Sequence, residues 1–389
     1  MTGGPLIYVI AGEPSGDLLG ARLMAALKER TGGAVRFAGI GGEEMAGEGL
    51  ESRVPIAELA IMGVAEVIPR VGAILLHVRQ TVADIMRAAP DAVVTIDSSG
   101  FTWRVAHGLR RRGSRVPLIH YVAPMVWAWR GGRARRMARW YDHLMTLLPF
   151  EPPYFAAVGL SCSYVGHPVV ESGADHGDGA AFRRRHGIAD DTPLVVLLPG
   201  SRRGEVDRLL PIFKGAVELL AASRPRLAIA LPTTDTVHDH VSEAVARWPL
   251  PVMVVRGRTE KYDAFAAGDV ALAASGTVAL ELALARLPSV IAYRINGLTH
   301  AIVSRVVKIP HAHLVNIVLQ REAVPEFLQD ECTAENLAAA VRRLMEDKAA
   351  RAAQIEACAE ALRALGYGAL APGLRAADEV LAIIANRRK

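Results

Sequence analysis

Short apolar runs recur along the chain, and each ends in a cluster of Gly, Ser, Thr, Asp or Pro before a stretch of helical spacing. In the first half, Leu6–Ile10, Val35–Gly41, Ala92–Ile96, Leu118–Val122 and His143–Leu148 read as strands. In the second half, strands fall near 194–198, 227–231, 252–255, 270–274 and 289–293. The runs are continuously apolar rather than alternating. That is the pattern of strands covered on both faces, as in a parallel α/β sheet. Leu18–Glu29 reads as a helix, and Ala334–Lys389 is nearly all helix-forming. Ile56–Val78 is apolar but carries Glu58, Glu66 and Arg70 and is broken by Pro69. It predicts a pair of short helices with an exposed greasy face; core packing is the default reading and a lipid-facing groove the sharper one.

Glu171–Asp178 is polar and glycine-containing and reads as a linker. Two successive sets of βα units joined by a linker predict an α/β chain of two doubly wound, Rossmann-like domains facing a cleft. The expected division is residues 1–170, residues 171–345, and C-terminal helices over 346–389.

The chain has 389 residues, 51% hydrophobic and 22% charged, which suits a globular chain with a sizeable core in each domain. A net charge of +5 favours acidic partners: phosphorylated substrates, an anionic membrane surface or nucleic acid. Aromatic residues make up only 5%, which weighs against a base-stacking RNA surface. Cys162, Cys332 and Cys358 are scattered and form no CxxC pair, so a reducing compartment is expected and zinc is not. No basic, cleavable leader opens the sequence, and no run approaches the roughly 18 apolar residues of a spanning helix. A soluble or peripheral protein is the expectation.

Two stretches carry candidate chemistry in the second half. Val270–Ala274 is a strand; Ser275-Gly276-Thr277 breaks it and Val278–Leu284 continues as a helix. Backbone N–H groups at such a turn favour a phosphate. Glu281 is four residues after Thr277, so a capping box does not account for it, and a ribose diol is a natural partner. Leu194–Leu198 ends likewise in Gly200-Ser201-Arg202-Arg203, where the forked donors of arginine suit a diphosphate. Together they suggest a nucleoside diphosphate site.

In the first half, the loop Ala11–Asp17 places Glu13 and Asp17 after a first strand, with Asp17 equally suited to capping a helix. It has neither GxGxxG nor P-loop spacing. Asp97 ends another strand, where it could act as a general base or cap the next helix. Trp127, Trp129, Arg130, Arg133 and Arg136 interleave on a short segment. They suit a membrane–water interface or nucleic acid, with a merely solvated face as the plain alternative.

Several stretches, in order, resemble lipid-A-disaccharide synthases, glycosyltransferases of the GT-B fold in family 19. They are AGEPSGD (11–17), ELAIMGVAEVIPR (58–70), TID (95–97), HYVAPMVWAWR (120–130), LLPFEPPYF (147–155), VGHPV (165–169), LLPGSRRGEV (197–206), ASGTVALE (274–281), AYR (292–294) and Asn316. The resemblance covers essentially the whole chain. It implies a hexosyltransferase that joins UDP-2,3-diacylglucosamine to 2,3-diacylglucosamine 1-phosphate, with inversion, giving the β-1′,6-linked lipid A disaccharide and UDP. By the same resemblance Asp97 and Glu13 are the base and acid-cluster candidates, with Asp17 beside them. Arg202, with Gly200 and Ser201, would hold the diphosphate; Ser275, Gly276 and Thr277 would face phosphate; Glu281 would hold the ribose and Asn316 would touch the nucleotide. Met62, Trp127, Trp129, Arg130, Arg133 and Arg136 would meet acceptor or membrane. No metal or other cofactor is expected, since arginine can stabilise the leaving group and no Asp-x-Asp triplet occurs in the chain. The resemblance further implies a cytoplasmic protein peripheral on the inner face of a Gram-negative inner membrane, an anionic membrane surface as partner, no nucleic acid, and a possible homodimer formed by exchange of C-terminal regions.

Departures cluster in the first half. Ser99-Gly100-Phe101-Thr102 stands for the family's usual Pro-Asp-Phe-Asn, and Gly41-Gly42-Glu43-Glu44-Met45 for Gly-Gly-Pro-Arg-Met. Ala123 and Met125 replace the two serines of Val-Ser-Pro-Ser-Val-Trp, and His311 and His313 stand for Tyr and Ser ahead of Asn316. The expectation is preserved donor handling with altered acceptor recognition. The alternatives are a UDP-sugar 2-epimerase-like enzyme, a related glycosyltransferase with another acceptor, or a non-catalytic nucleotide- or RNA-binding protein.

Overall fold

The computed structural model describes residues 4–59, 64–128, 132–295 and 311–388. The chain divides into two compact units, Met1–Pro168 with Gly368–Lys389, and Val169–Tyr367. Each is built on a six-stranded sheet, and every recorded strand pair is parallel.

The strands of the first unit are β1 (Leu6–Ala11), β2 (Arg36–Ile40), β3 (Ala92–Ile96), β4 (Leu118–Tyr121), β5 (His143–Thr146) and β6 (Ser161–Tyr164), in spatial order β2-β1-β3-β4-β5-β6. The period of two along β1 shows why the run is apolar throughout. Ile7 and Val9 join one core with Leu23, Leu27 and Val380; Tyr8 and Ile10 join the opposite core with Val82, Ile85 and Val105. The last helix, Pro372–Arg388, covers Pro14–Thr31 of the same unit with Ala376, Ala377 and Val380, and Arg30 pairs with Asp378 at 2.8 Å.

Val64–Ala88 is a single helix, not the pair expected from Pro69. Pro69 falls in its second turn, where it removes one backbone bond, and Val78, Val82 and Ile85 anchor the turns that follow in the core. Leu75, Leu76 and Met86 on this helix are exposed.

The second unit holds β7 (Leu194–Leu198), β8 (Ala228–Thr233), β9 (Met253–Arg256), β10 (Val270–Ala274), β11 (Ser289–Tyr293) and β12 (Glu326–Leu328), ordered β12-β11-β10-β7-β8-β9. Helices Arg203–Ser223 and Ala334–Glu346 pack one face, and Gly179–Arg185 with Arg258–Ala267 the other. Lys348–Ala364 stays with this unit, so only the final helix returns to the first. Gln354, buried on it, takes the Ser289 N–H at 2.7 Å and donates to the Ser289 carbonyl at 3.0 Å.

That amide is the side-chain partner of both backbone groups at the start of β11. Gln354→Leu leaves an N–H and a C=O buried without it, so a loss of about 2–4 kcal/mol is expected, seen as a lowered midpoint in urea unfolding of the intact chain.

Candidate active site

In each sheet the strand order reverses once, and the crevice at such a reversal is left uncovered by crossover helices. In the first unit it lies between β1 and β3. Ala11 pairs with Ile96, so the loop beginning Gly12-Glu13 and the turn Asp97-Ser98 leave the sheet side by side. They approach so closely that a Cβ at Gly12 would lie 2.4 Å from Ser98 Oγ. In the second unit it lies between β7 and β10, whose ends carry Gly200-Ser201-Arg202 and Ser275-Gly276-Thr277. Residues remote in sequence are thus paired by topology in each unit.

Asp97 and Ser98 have φ of 46° and 42°, two left-handed residues in succession. Each costs roughly 1–2 kcal/mol outside glycine, which marks a turn held by its surroundings. The Asp97 N–H donates to the Tyr121 carbonyl at 3.0 Å. Burial raises the Asp97 pKa above the ordinary carboxylate value, opposed by a backbone N–H bond from Ser98. Behind the turn, Thr95 Oγ1 lies 2.7 Å from His120 Nδ1 and donates to Tyr141 Oη at 3.2 Å.

Glu13 sits half-buried at the N-cap of Pro14–Thr31. Asp17 is placed differently from the expectation. Its buried carboxylate accepts the N–H groups of Gly42, Glu44 and Met45 at 2.7, 3.0 and 3.2 Å. It therefore caps the neighbouring helix Glu43–Gly47, not its own, and shapes the Gly42–Met45 turn. Gly42 has no side chain because a Cβ there would be 2.5 Å from Asp17 Oδ2.

Trp127 is also held. Its indole N–H donates to Glu151 Oε1 at 3.2 Å, and its ring meets Phe150 edge-on at 5.3 Å. The N–H that an interfacial tryptophan offers to headgroups is thus already used. Glu151 was not singled out in the sequence; burial pushes its carboxyl up to about 7, against the Leu148, Trp127 and Leu147 N–H bonds. Arg133 lies 5.9 Å over the Trp103 ring, and Arg136 is exposed. Met62, Trp129 and Arg130 lie outside the described residues.

In the second unit, Arg202 is the N-cap of the 21-residue helix Arg203–Ser223. Its Nη1 donates to Glu205 Oε1 at 2.9 Å, while Glu205 Oε2 accepts the Ser201 N–H at 3.2 Å. Gly200, at φ 119°, is needed because the Glu205 side chain folds over it; a Cβ would lie 2.6 Å from Oε2. The opposite turn is weaker as an anion site. Its helix, Val278–Leu284, has seven residues, and Ser275 Oγ already donates to the Ala312 carbonyl at 3.1 Å.

Glu281 accepts Lys261 Nζ at 3.0 and 2.8 Å on its two oxygens and Tyr262 Oη at 3.0 Å. A carboxylate has about four acceptor positions, so capacity remains. Asn316 has none to spare and does not reach out to a ligand. It is fully buried, donates to the Val324 carbonyl and Glu326 Oε1, and accepts the Ala323 and Val324 N–H groups. Glu326 in turn clamps the N–H groups of Ala312 and His313, which fixes the segment that meets Ser275. Lys261, Tyr262 and Glu326 carry no motif; only the contacts reveal them. Among the described residues no group of three or more His, Cys, Asp or Glu is placed to hold a metal ion.

Known proteins add the chemistry. The lipid-A-disaccharide synthetase family matches residues 7–369. The lipid-A-disaccharide synthases of Rhodospirillum centenum and Paramagnetospirillum magneticum are each 56% identical, over 98% of this chain and 95% of the first relative, and over 97% of this chain and 97% of the second. That of Ruegeria pomeroyi is 46% identical over 96% of this chain and 94% of its own. Among solved structures, UDP-GlcNAc 2-epimerase from Neisseria meningitidis bound to UDP-GlcNAc aligns with a TM-score of 0.62 at 10% identity, covering 98% of this chain and 99% of that one. Acinetobacter baumannii MurG aligns at 0.55 and 15%, with the same coverage. These two likenesses speak for the GT-B fold alone. The sequence matches, spanning nearly the whole chain, establish that it belongs to the lipid-A-disaccharide synthase family, the glycosyltransferases of lipid A biosynthesis.

Proposed function

We propose that the chain transfers 2,3-diacylglucosamine from UDP to 2,3-diacylglucosamine 1-phosphate, with Asp97 taking the proton of the attacking hydroxyl. The observation that carries this reading is Asp97 itself, strained and half-buried at the strand-order reversal of the first unit. An inverting transfer needs one base and one stabilised leaving group. Glu13, leaving the sheet beside Asp97, is the second acid of that site.

In the second unit Arg202 holds the departing diphosphate. Its present partner does not prevent this. An exposed i,i+3 ion pair contributes only about 0.5 kcal/mol, whereas Arg–phosphate bonds are bidentate and stronger, so the guanidinium changes partner when the donor binds. Gly200, Gly276 and Thr277 offer backbone groups around it, as does the Ser201 N–H once it too leaves Glu205, and Glu281, oriented by Lys261 and Tyr262, takes the ribose hydroxyls. With arginine and backbone donors supplying the positive potential, the mechanism proposed here is metal-free.

The chain docks on an anionic membrane through the first unit. Exposed Leu75, Leu76 and Met86 on Val64–Ala88 support this, as do exposed Arg135 and Arg136. No helix among the described residues is long and apolar enough to cross a membrane. Acceptor recognition differs from the family's usual pattern through Glu44 and Gly100, both exposed.

The deciding assay is UDP release from UDP-2,3-diacylglucosamine in detergent micelles with EDTA, with and without 2,3-diacylglucosamine 1-phosphate. Release only with the acceptor, together with a disaccharide, is expected; release without acceptor or a strict metal requirement overturns the reading. Asp97→Asn should lower turnover on the order of 10²-fold or more with UDP binding intact. A base works ionised, and burial raises the Asp97 pKa, so activity should fall away as pH drops through a value above the ordinary Asp range. Arg202→Ala should weaken UDP binding about tenfold to hundredfold, the effect of removing hydrogen bonds to a charged group. Glu44→Arg and Gly100→Asp should each change acceptor KM or chain-length preference; if neither does, the altered-acceptor reading fails. Leu75→Glu with Leu76→Glu should reduce co-sedimentation with anionic vesicles.

A further inference from the structure

Thr95, Thr102, His120 and Tyr141 are each at most 4% exposed, and together they form a polar layer under the Asp97 turn. Four polar side chains in so dry a place are costly unless bonded to one another. The Tyr141 hydroxyl accepts the Thr95 hydroxyl at 3.2 Å, and Thr102 lies close enough to act on it electrostatically. Thr102 in turn donates to the Ser98 carbonyl at 3.0 Å and to the Asp97 carbonyl at 2.8 Å. The two contacts differ in kind. A threonine bonding the carbonyl four residues back is ordinary in a helix. Reaching the carbonyl five residues back, and at the shorter distance, belongs to no helical pattern. It is made where Asp97 and Ser98 are both left-handed.

We infer that Thr102 is a positioning residue, which with Tyr141 and Thr95 holds the left-handed Asp97-Ser98 turn and so fixes the direction in which the Asp97 carboxylate leaves the sheet. This rests on the reading of Asp97 as the base. Thr102 occupies the last place of Ser99-Gly100-Phe101-Thr102, one of the stretches that departs from the family's usual residues. His120 closes the layer as a neutral ring. Burial pulls its pKa down to about 3, so the layer sets geometry and does not exchange protons with Asp97.

The test compares Thr102→Val, which keeps the shape and removes the hydroxyl, with Thr102→Ser, which keeps the hydroxyl. In the full-length chain, Thr102→Val should lower kcat about tenfold to hundredfold, the loss that a misplacement of about 1 Å produces. Donor KM should stay within about twofold, and although losing a buried hydroxyl lowers the melting temperature, the variant should stay folded at the assay temperature. Thr102→Ser should restore most of kcat. Equal losses in both variants, or full kcat in Thr102→Val, overturn the inference. Should Thr102→Val fail to fold, Tyr141→Phe serves instead, with a smaller fall in kcat expected and an unchanged kcat overturning the proposal. Asp97→Asn in the same series separates the two claims. If Asp97→Asn keeps turnover, the base assignment falls and takes the inference with it. If Asp97→Asn is inactive while Thr102→Val is fully active, only the positioning role falls.

Discussion

Where a parallel sheet reverses its strand order, the crossovers on either side run away from each other and leave the carboxyl ends of two adjacent strands uncovered. That constraint places everything chemical here. It puts Glu13 beside Asp97 and the Gly200–Arg202 turn beside Ser275–Thr277, although more than seventy residues separate the members of each pair in sequence. The apolar strands are what make it possible. Each is buried on both faces, so register is strongly specified and the loops emerge at fixed positions.

Much of this architecture is legible in the sequence because burial on both faces leaves continuous apolar runs. The missed strands are the ones that lack that burial. Ser161–Tyr164 and Glu326–Leu328 are edge strands, short and only partly buried, and their residues carry no periodic signal. Pro69 misleads for another reason: the single backbone bond it removes is outweighed by Val78, Val82 and Ile85, which hold the following turns in the core. Candidate site residues could be found as types in glycine turns, but not their partners. Lys261 and Tyr262 lie about twenty residues before Glu281, and His120 meets Thr95 only across two strands.

The polar residues of the motif stretches divide by how deeply they are buried. Asn316 and Asp17 are buried and hold backbone turns. Glu326 and Glu151 do the same for the segments around Ala312 and Leu148. Glu281 keeps spare acceptor capacity, and Arg202 is held only by an exposed ion pair. A sequence motif cannot separate these two groups, because a residue that shapes a site and one that touches substrate are equally tied to it. Burial does separate them: Asn316, Asp17 and Glu151 are closed off from solvent, whereas Arg202 and Glu281 stay partly open.

Exposure bears on the departures too. Gly100 lies in the first turn of the helix Ser99–Arg111, and a Cβ there would meet only Arg104 Nη1, at 4.0 Å. An aspartate at 100 would stand four residues before Arg104 and at the positive end of the helix dipole, both stabilising on general grounds. Stability therefore does not explain glycine at this position. Glu43 and Glu44 are likewise exposed, in a turn whose shape comes from Asp17 and not from their own side chains. At 44 and 100 a side chain meets open surface rather than core. Under the proposed function, the molecule that approaches this end of the sheet is what would select between the alternatives there, and core packing does not determine it.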